Sequence, residues 1–214
     1  MQIYADPITV NSRKVIAGLK FLEVDYTLNH TDYFKGEQKS PEYMKINPNA
    51  CLPSMVDDGF TLWESNAILQ YAADKHNRTQ AYPTDLKTRA DINRWLLWES
   101  STWFPSAYTY LTENCVKPVL GDKPDPAVLA GEEPNFRKLA GILDSRLANS
   151  DWLCGSNTTI ADIAVAAPMH MHRVQGLPLS DFPNLVRWMA EKVEKLPAWI
   201  GTYVGPGFTL ERAS

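Results

Sequence analysis

The sequence predicts an α/β segment over its first 78 residues followed by an all-helical segment, and three observations carry that reading. Strand-like and helix-like stretches alternate as far as residue 76; a polar, proline-containing break occupies 77–84; beyond it the strand pattern vanishes and helical periodicity takes over. The expected boundaries are 1–78 for the α/β part, 79–86 for a linker and 87–214 for the helical part. With 214 residues, 44% hydrophobic and 21% charged, the chain can bury two modest cores and is too apolar to be disordered.

The elements follow in order. Ile3 and Tyr4 read as a strand, residues 12–21 as a helix, Tyr26-Thr27-Leu28 as a strand, and the stretch to Lys39 as irregular and polar. Ser54-Met55-Val56 and Phe60-Thr61-Leu62 flank Asp57-Asp58-Gly59, a hairpin turn. Pro53 lacks an N–H and stands just before this hairpin, so Leu52-Pro53 is a candidate cis bond that would leave the Leu52 N–H and C=O unpaired. The helix over 65–76 opens at Glu64-Ser65, where free N–H groups and the macrodipole favour a carboxylate. The two features side by side suggest a seat for a small acidic peptide. In the second half, 86–115 (bent near Pro105), 136–147, 160–174 and 185–196 suit helices, with Pro134, Pro183 and Pro197 near boundaries and a surface loop within 116–134. Thr159-Ile160-Ala161-Asp162 is a capping box, which accounts for Asp162 without a catalytic role.

Composition excludes several classes. A net charge of −4 offers no footprint for nucleic acid or an anionic membrane, and no apolar run approaches the ~20 residues that span a bilayer. The start, Met1-Gln2-Ile3-Tyr4-Ala5, reads as a strand rather than a signal peptide, so a cytoplasmic protein is expected. Cys51, Cys115 and Cys154 form no C-x-x-C pair, and Met169-His170-Met171-His172 places its histidines on different helix faces with no completing acid. Neither a metal site nor a dithiol centre is expected. Any thiol chemistry must use a borrowed thiol.

The run Asn47-Pro48-Asn49-Ala50-Cys51-Leu52-Pro53-Ser54-Met55, with Glu64-Ser65 after the hairpin, resembles the glutathione transferase superfamily, and the resemblance covers nearly the whole chain. It implies a thioredoxin-like N-terminal domain with a C-terminal helical bundle, whose capping box the Thr159 segment is similar to. It also implies that Leu52 beside Pro53 pairs with the cysteinyl unit of glutathione, that Glu64 and Ser65 hold its γ-glutamyl end, and that Gln38 or Lys39 reaches its glycine carboxylate. Thr9-Val10-Asn11-Ser12-Arg13-Lys14-Val15 resembles the Thr-Pro-Asn-x-x-Lys-Ile element of Nu-class transferases and the Ser-x-Asn-x-x-Arg-Val element of the phi class. By either alignment Thr9 takes the thiolate-contact position and Asn11 an assisting amide position, with Ser12 a competing hydroxyl and Asn11 also readable as a helix N-cap. A hydroxyl donor beside a helix start lowers a thiol pKa.

Two positions depart from the family pattern. Val10 stands where Pro is common, and Cys51 where Lys or Gln usually precedes the Leu/Val/Ile-Pro pair. The thiol at 51 implies weaker glutathione binding, or a mixed disulfide with it. The aromatic-rich 94–110 segment corresponds to the helix that faces the open side of the glutathione site in the superfamily, and Trp103 and Phe104 are assigned to the second-substrate pocket. The resemblance implies an enzyme, a glutathione-dependent transferase or disulfide-bond reductase, acting as a homodimer on a disulfide or a hydrophobic electrophile, the latter by detoxifying conjugation. A non-catalytic binding module of the same fold is the alternative of a different class.

Overall fold

The computed structural model describes residues 1–202, so the end of the expected helical segment lies outside the described residues. The chain divides into two compact units, Met1–Ile68 with the segment from Lys195 onward, and Leu69–Glu194. In the first unit the order is β1 (Gln2–Ala5), α1 (Val10–Phe21), β2 (Thr27–His30), α2 (Pro41–Met44), β3 (Ser54–Asp57), β4 (Phe60–Trp63) and the start of α3 (Ser65–Lys75). The sheet runs β2-β1-β3-β4. β1 pairs parallel with β2, which requires the α1 crossover, and antiparallel with β3. Between β3 and β4, Asp58 and Gly59 have φ of 51° and 83°, the two positive values that a type I′ hairpin turn needs.

Register decides where the chain ends meet. Tyr4 is opposite Ser54, Ser54 is opposite Trp63, and Ala5 is opposite His30. The exit of β1, the exit of β2, the entry to β3 and the exit of β4 therefore share one end of the sheet. Ile3, Ala5, Val15, Leu19 and Met55 fill the core and are fully buried.

The second unit continues α3 and adds α4 (Leu86–Trp98), a π-helical turn Glu99–Trp103, α5 (Phe104–Leu111), a second π turn Thr112–Val116, α6 (Lys117–Val119), α7 (Pro126–Leu147), α8 (Ile160–Ala166), α9 (His172–Gln175) and α10 (Pro183–Arg187). α11 (Pro197–Ile200) belongs to the first unit, where the Arg13 guanidinium lies 4.6 Å from the centre of the Trp199 ring and its Nε donates to the Thr202 carbonyl at 2.7 Å. The interruption expected near Pro105 is a π turn that ends as α5 begins.

Pro183 and Pro197 open their helices as expected, but Pro134 lies inside α7 and the loop before that helix is only 120–125. The helix starts at Pro126, whose missing N–H costs nothing at that position, behind an Asp125 cap on the Ala127 N–H. Pro134 is tolerated because it and Ala130, whose carbonyl loses a partner, are both exposed to water.

Trp103 is corrected from pocket wall to core. It is 0% exposed, stacks on Trp98 at 5.8 Å, meets the tilted Phe136 ring at 5.1 Å, and donates its indole N–H to the Val165 carbonyl. The aromatic density of this stretch serves packing. Phe104 is half-buried and stacks on Tyr108.

The capping box is complete. Thr159 Oγ1 accepts from the Ala161 N–H, Asp162 Oδ2 accepts from the Thr159 N–H at 2.9 Å, and Oδ1 accepts from the Leu153 N–H at 2.9 Å. Burial pushes the Asp162 carboxyl up to about 6 against these donors. Asp162→Ala strands two buried N–H groups and should cost about 2 to 5 kcal/mol in urea unfolding. Because the folded pKa is raised, the group's contribution is full below about pH 4, the unfolded value, and is lost as pH rises through about 6. The stability difference between wild type and Asp162→Asn should therefore shrink across that window; a difference that grows with pH would contradict the assignment.

Candidate active site at the open end of the sheet

Three backbone features converge at the shared end of the sheet. The first is the β1–α1 turn. Asp6 is buried, and it organises the turn: its carbonyl accepts from the Thr9 N–H at 2.9 Å and the Thr9 hydroxyl at 3.0 Å. Its carboxylate accepts from the Ile8 N–H and, across from β2, from the Tyr33 N–H at 3.0 Å. Thr9 takes the N-cap position of α1 yet makes no side-chain cap bond, so its half-exposed hydroxyl is not consumed by the helix. Asn11 lies within the first turn, which settles the N-cap alternative in favour of Thr9.

The second feature is the Leu52-Pro53 segment, whose peptide bond is cis. The preceding carbonyl, that of Cys51, is held by the Tyr43 hydroxyl at 2.6 Å and the Asn47 amide at 2.9 Å. Tyr43 also meets Ser54 Oγ at 2.7 Å, so one buried ring fixes both sides of the proline. Among the described residues the N–H and C=O of Leu52 have no partner. An extended peptide can pair with them.

The third is the start of α3. Glu64 has φ of 73°, uncommon for a residue with a Cβ and an investment of order 1 kcal/mol that functional turns tolerate. Ser65 is buried behind it. Its Oγ accepts from Lys14 Nζ at 3.1 Å and lies 3.5 Å from Asn11 Oδ1, to which it donates. Lys14 Nζ also donates to Asn66 Oδ1 at 3.4 Å. Lys14 is 1% exposed, so its charge acts in a low-dielectric setting where attraction for an anion is strong. A helix start, a serine hydroxyl and a buried ammonium thus gather in one place.

Lys14 escaped the sequence reading of roles, because a lysine on a helix reads by default as solvated. The available signal was its i, i+3 spacing from Asn11, which puts both on one face of α1. Of the pair expected at the glycine end, Lys39 is exposed and Gln38 is 3% exposed, with its Oε1 unpaired among the described residues. Tyr43 and Asn47 were likewise not assigned, since their work is done on a carbonyl.

The N-terminal domain signature of glutathione S-transferases matches residues 3–74, and the C-terminal domain signature of the same family matches residues 109–197. The chain belongs to the glutathione S-transferase family. It is a glutathione-dependent transferase with that family's thioredoxin-like sheet domain and helical domain. Glutathione S-transferase D7 of Drosophila melanogaster is 29% identical over 201 residues, covering 93% of this chain and 87% of the relative. Poplar glutathione transferase F1 is 26% identical at a TM-score of 0.84, covering 94% of this chain and 95% of that one. Glutathione transferase URE2P6 of Phanerochaete chrysosporium, solved in complex with oxidized glutathione, is also 26% identical, with a TM-score of 0.81 and coverage of 94% and 93%.

Removing the buried cation should weaken the anion seat more than the fold. Lys14→Met is expected to reduce glutathione affinity about 10- to 100-fold, the loss of one charge-assisted hydrogen bond, with Ser65→Ala in the same direction. Calorimetry on the folded variants measures it; unchanged affinity in both would show that no anionic group of glutathione is held at this helix start.

Proposed function

We propose that the transferase binds glutathione with its γ-glutamyl carboxylate at Glu64, Ser65 and Lys14, its cysteinyl backbone on Leu52 beside Pro53, and its glycine end toward Lys39 and Gln38. Thr9 then donates to the thiolate, with Asn11 assisting. The observation that carries this reading is the partly exposed Thr9 hydroxyl, which makes no helix-cap bond, at the start of a 12-residue helix and at the sheet end where the two peptide-holding features also lie.

The reaction favoured is disulfide reduction. The thiolate of one glutathione attacks a sulfur of the substrate disulfide, forming a mixed disulfide and releasing one substrate thiolate; a second glutathione thiolate attacks the glutathione sulfur, releasing the other. Two glutathione thiols become one glutathione disulfide, and their protons end on the two released thiols. Two of the protein's own thiols are poorly suited to this work: burial pushes the Cys154 thiol up to about 12, with nearby Asp162 adding to it, and burial raises that of Cys115. The same thiolate would conjugate a hydrophobic electrophile by attack at carbon, the second reading, which the S-transferase family favours. Phe104 is the surviving candidate for the second-substrate pocket. A cytoplasmic setting accords with this use of free thiols, and among the described residues no helix is long and apolar enough to cross a membrane.

Thr9→Val should raise the pKa of the bound thiol by about one to two units and slow the neutral-pH rate about ten- to a hundredfold, with glutathione affinity little changed. Reduction of 2-hydroxyethyl disulfide should survive the simultaneous replacement of Cys51, Cys115 and Cys154 by Ala. Thiolate absorbance against pH and the disulfide assay test the two parts; a wild-type titration in Thr9→Val removes Thr9, and loss of activity in the cysteine-free variant removes the proposed route.

A homodimer is proposed from the apolar surface that α4 and α5 leave exposed, where Leu97 is 70% exposed and Tyr108 is open beside Phe104. Leu97→Arg should shift the sedimentation mass toward one chain. No shift from a dimer would place the interface on another surface.

A further inference from the structure

Ser12 is 0% exposed and lies beneath Thr9, so it cannot touch a bound thiol, yet the two hydroxyl oxygens are 2.7 Å apart. In the ligand-free protein Thr9 donates and Ser12 accepts, and Ser12 Oγ also accepts from the Asp6 N–H at 3.3 Å. A serine hydroxyl carries one proton and two acceptor sites. Both acceptor sites of Ser12 are filled, while its own proton has no acceptor among the described residues other than Thr9 Oγ1. The Thr9 proton is doubly provided for, since it reaches the Asp6 carbonyl at 3.0 Å as well as Ser12. One hydroxyl pair therefore holds a surplus of proton on the buried side and a surplus of acceptor around the exposed one.

From this we infer that Ser12 is a positioning residue for the thiolate donor, through a hydrogen bond that reverses direction. The inference rests on the reading of Thr9 as the thiolate contact. When a thiolate arrives, Thr9 turns its proton from the interior to the sulfur. Ser12 then donates its own proton to the lone pair that Thr9 Oγ1 has turned toward it, and the Asp6 N–H continues to hold Ser12 Oγ in place. No proton is transferred between heavy atoms and no bond count is lost: two hydroxyl rotations replace an inward bond by an outward one. The chain Asp6 N–H, Ser12 O–H, Thr9 O–H, sulfur then runs in a single direction, and hydrogen bonds so aligned polarise one another. Without Ser12, Thr9 must abandon the Asp6 carbonyl with nothing returned.

A double-mutant cycle on the full chain reads this directly. Ser12→Ala should raise the pKa of bound glutathione by about half to one unit, the loss of one neutral hydrogen bond, and cut the thiolate fraction at neutral pH about three- to tenfold while glutathione affinity stays the same. In a Thr9→Val background, Ser12→Ala should shift the pKa no further, because its partner is gone. Ser12→Cys, close in size and a weak donor, should give a smaller shift of the same sign and serves if Ser12→Ala does not fold. An equal shift from Ser12→Ala in both backgrounds would mean that it acts by distorting the loop, and no shift when Thr9 is intact would mean that it does nothing; either overturns the inference. A wild-type titration in Thr9→Val would instead sink the Thr9 reading itself.

Discussion

Everything proposed for the site depends on the pairing of β1 with its two neighbours. Its parallel match to β2 and antiparallel match to β3 bring the β1–α1 turn and the entry to β3 to one end of the sheet, and β3 carries the end of β4 there with it. A shift of β3 by one residue would turn Met55 out of the core and move Leu52 relative to Thr9, so the apolar pattern that specifies the core also specifies the spacing of the site. Packing and chemistry are set by the same choice of register.

On that frame the polar groups divide into holders and workers. Asp6, Tyr43 and Asn47 spend their hydrogen bonds on backbone groups of the loops, and by doing so leave the Leu52 backbone and the Thr9 hydroxyl able to meet a ligand. Lys14 does both, since the ammonium that orders Ser65 also supplies charge at the start of α3. The heavy atoms are preorganised: the Leu52 backbone groups and the Lys14 ammonium are in place before a ligand arrives, and only the Thr9 and Ser12 hydroxyls have to turn.

Much of this was legible in the sequence where the signal is local. The Asp-Gly turn, the Leu52-Pro53 segment, the Thr159–Asp162 box and the change from strands to helices after residue 78 each announce themselves within a few residues. What was not legible depends on residues far apart in the chain. Lys14 becomes a site residue only because α3 starts above it, 51 residues later. Trp103 was expected to face a substrate because aromatic composition cannot distinguish a pocket from a core, and the deciding partners, Phe136 and the Val165 carbonyl, come from α7 and α8. Pro134 is expected just before a helix over 136–147 and sits within a longer one, because the rule prices a lost backbone bond that water can replace at an exposed turn.

The clamp on the Cys51 carbonyl has a consequence for what the position can tolerate. Tyr43 and Asn47 fix that peptide through its oxygen, from eight and four residues upstream, by hydrogen bonds that do not involve the side chain. The thiol itself only reaches back to the Asn49 carbonyl at 3.3 Å. Backbone recognition at Leu52 is thereby uncoupled from the identity of its neighbour. Residue 51 becomes a port whose side chain can be exchanged to change what lies beside the proposed peptide seat, while the Leu52 edge keeps its shape.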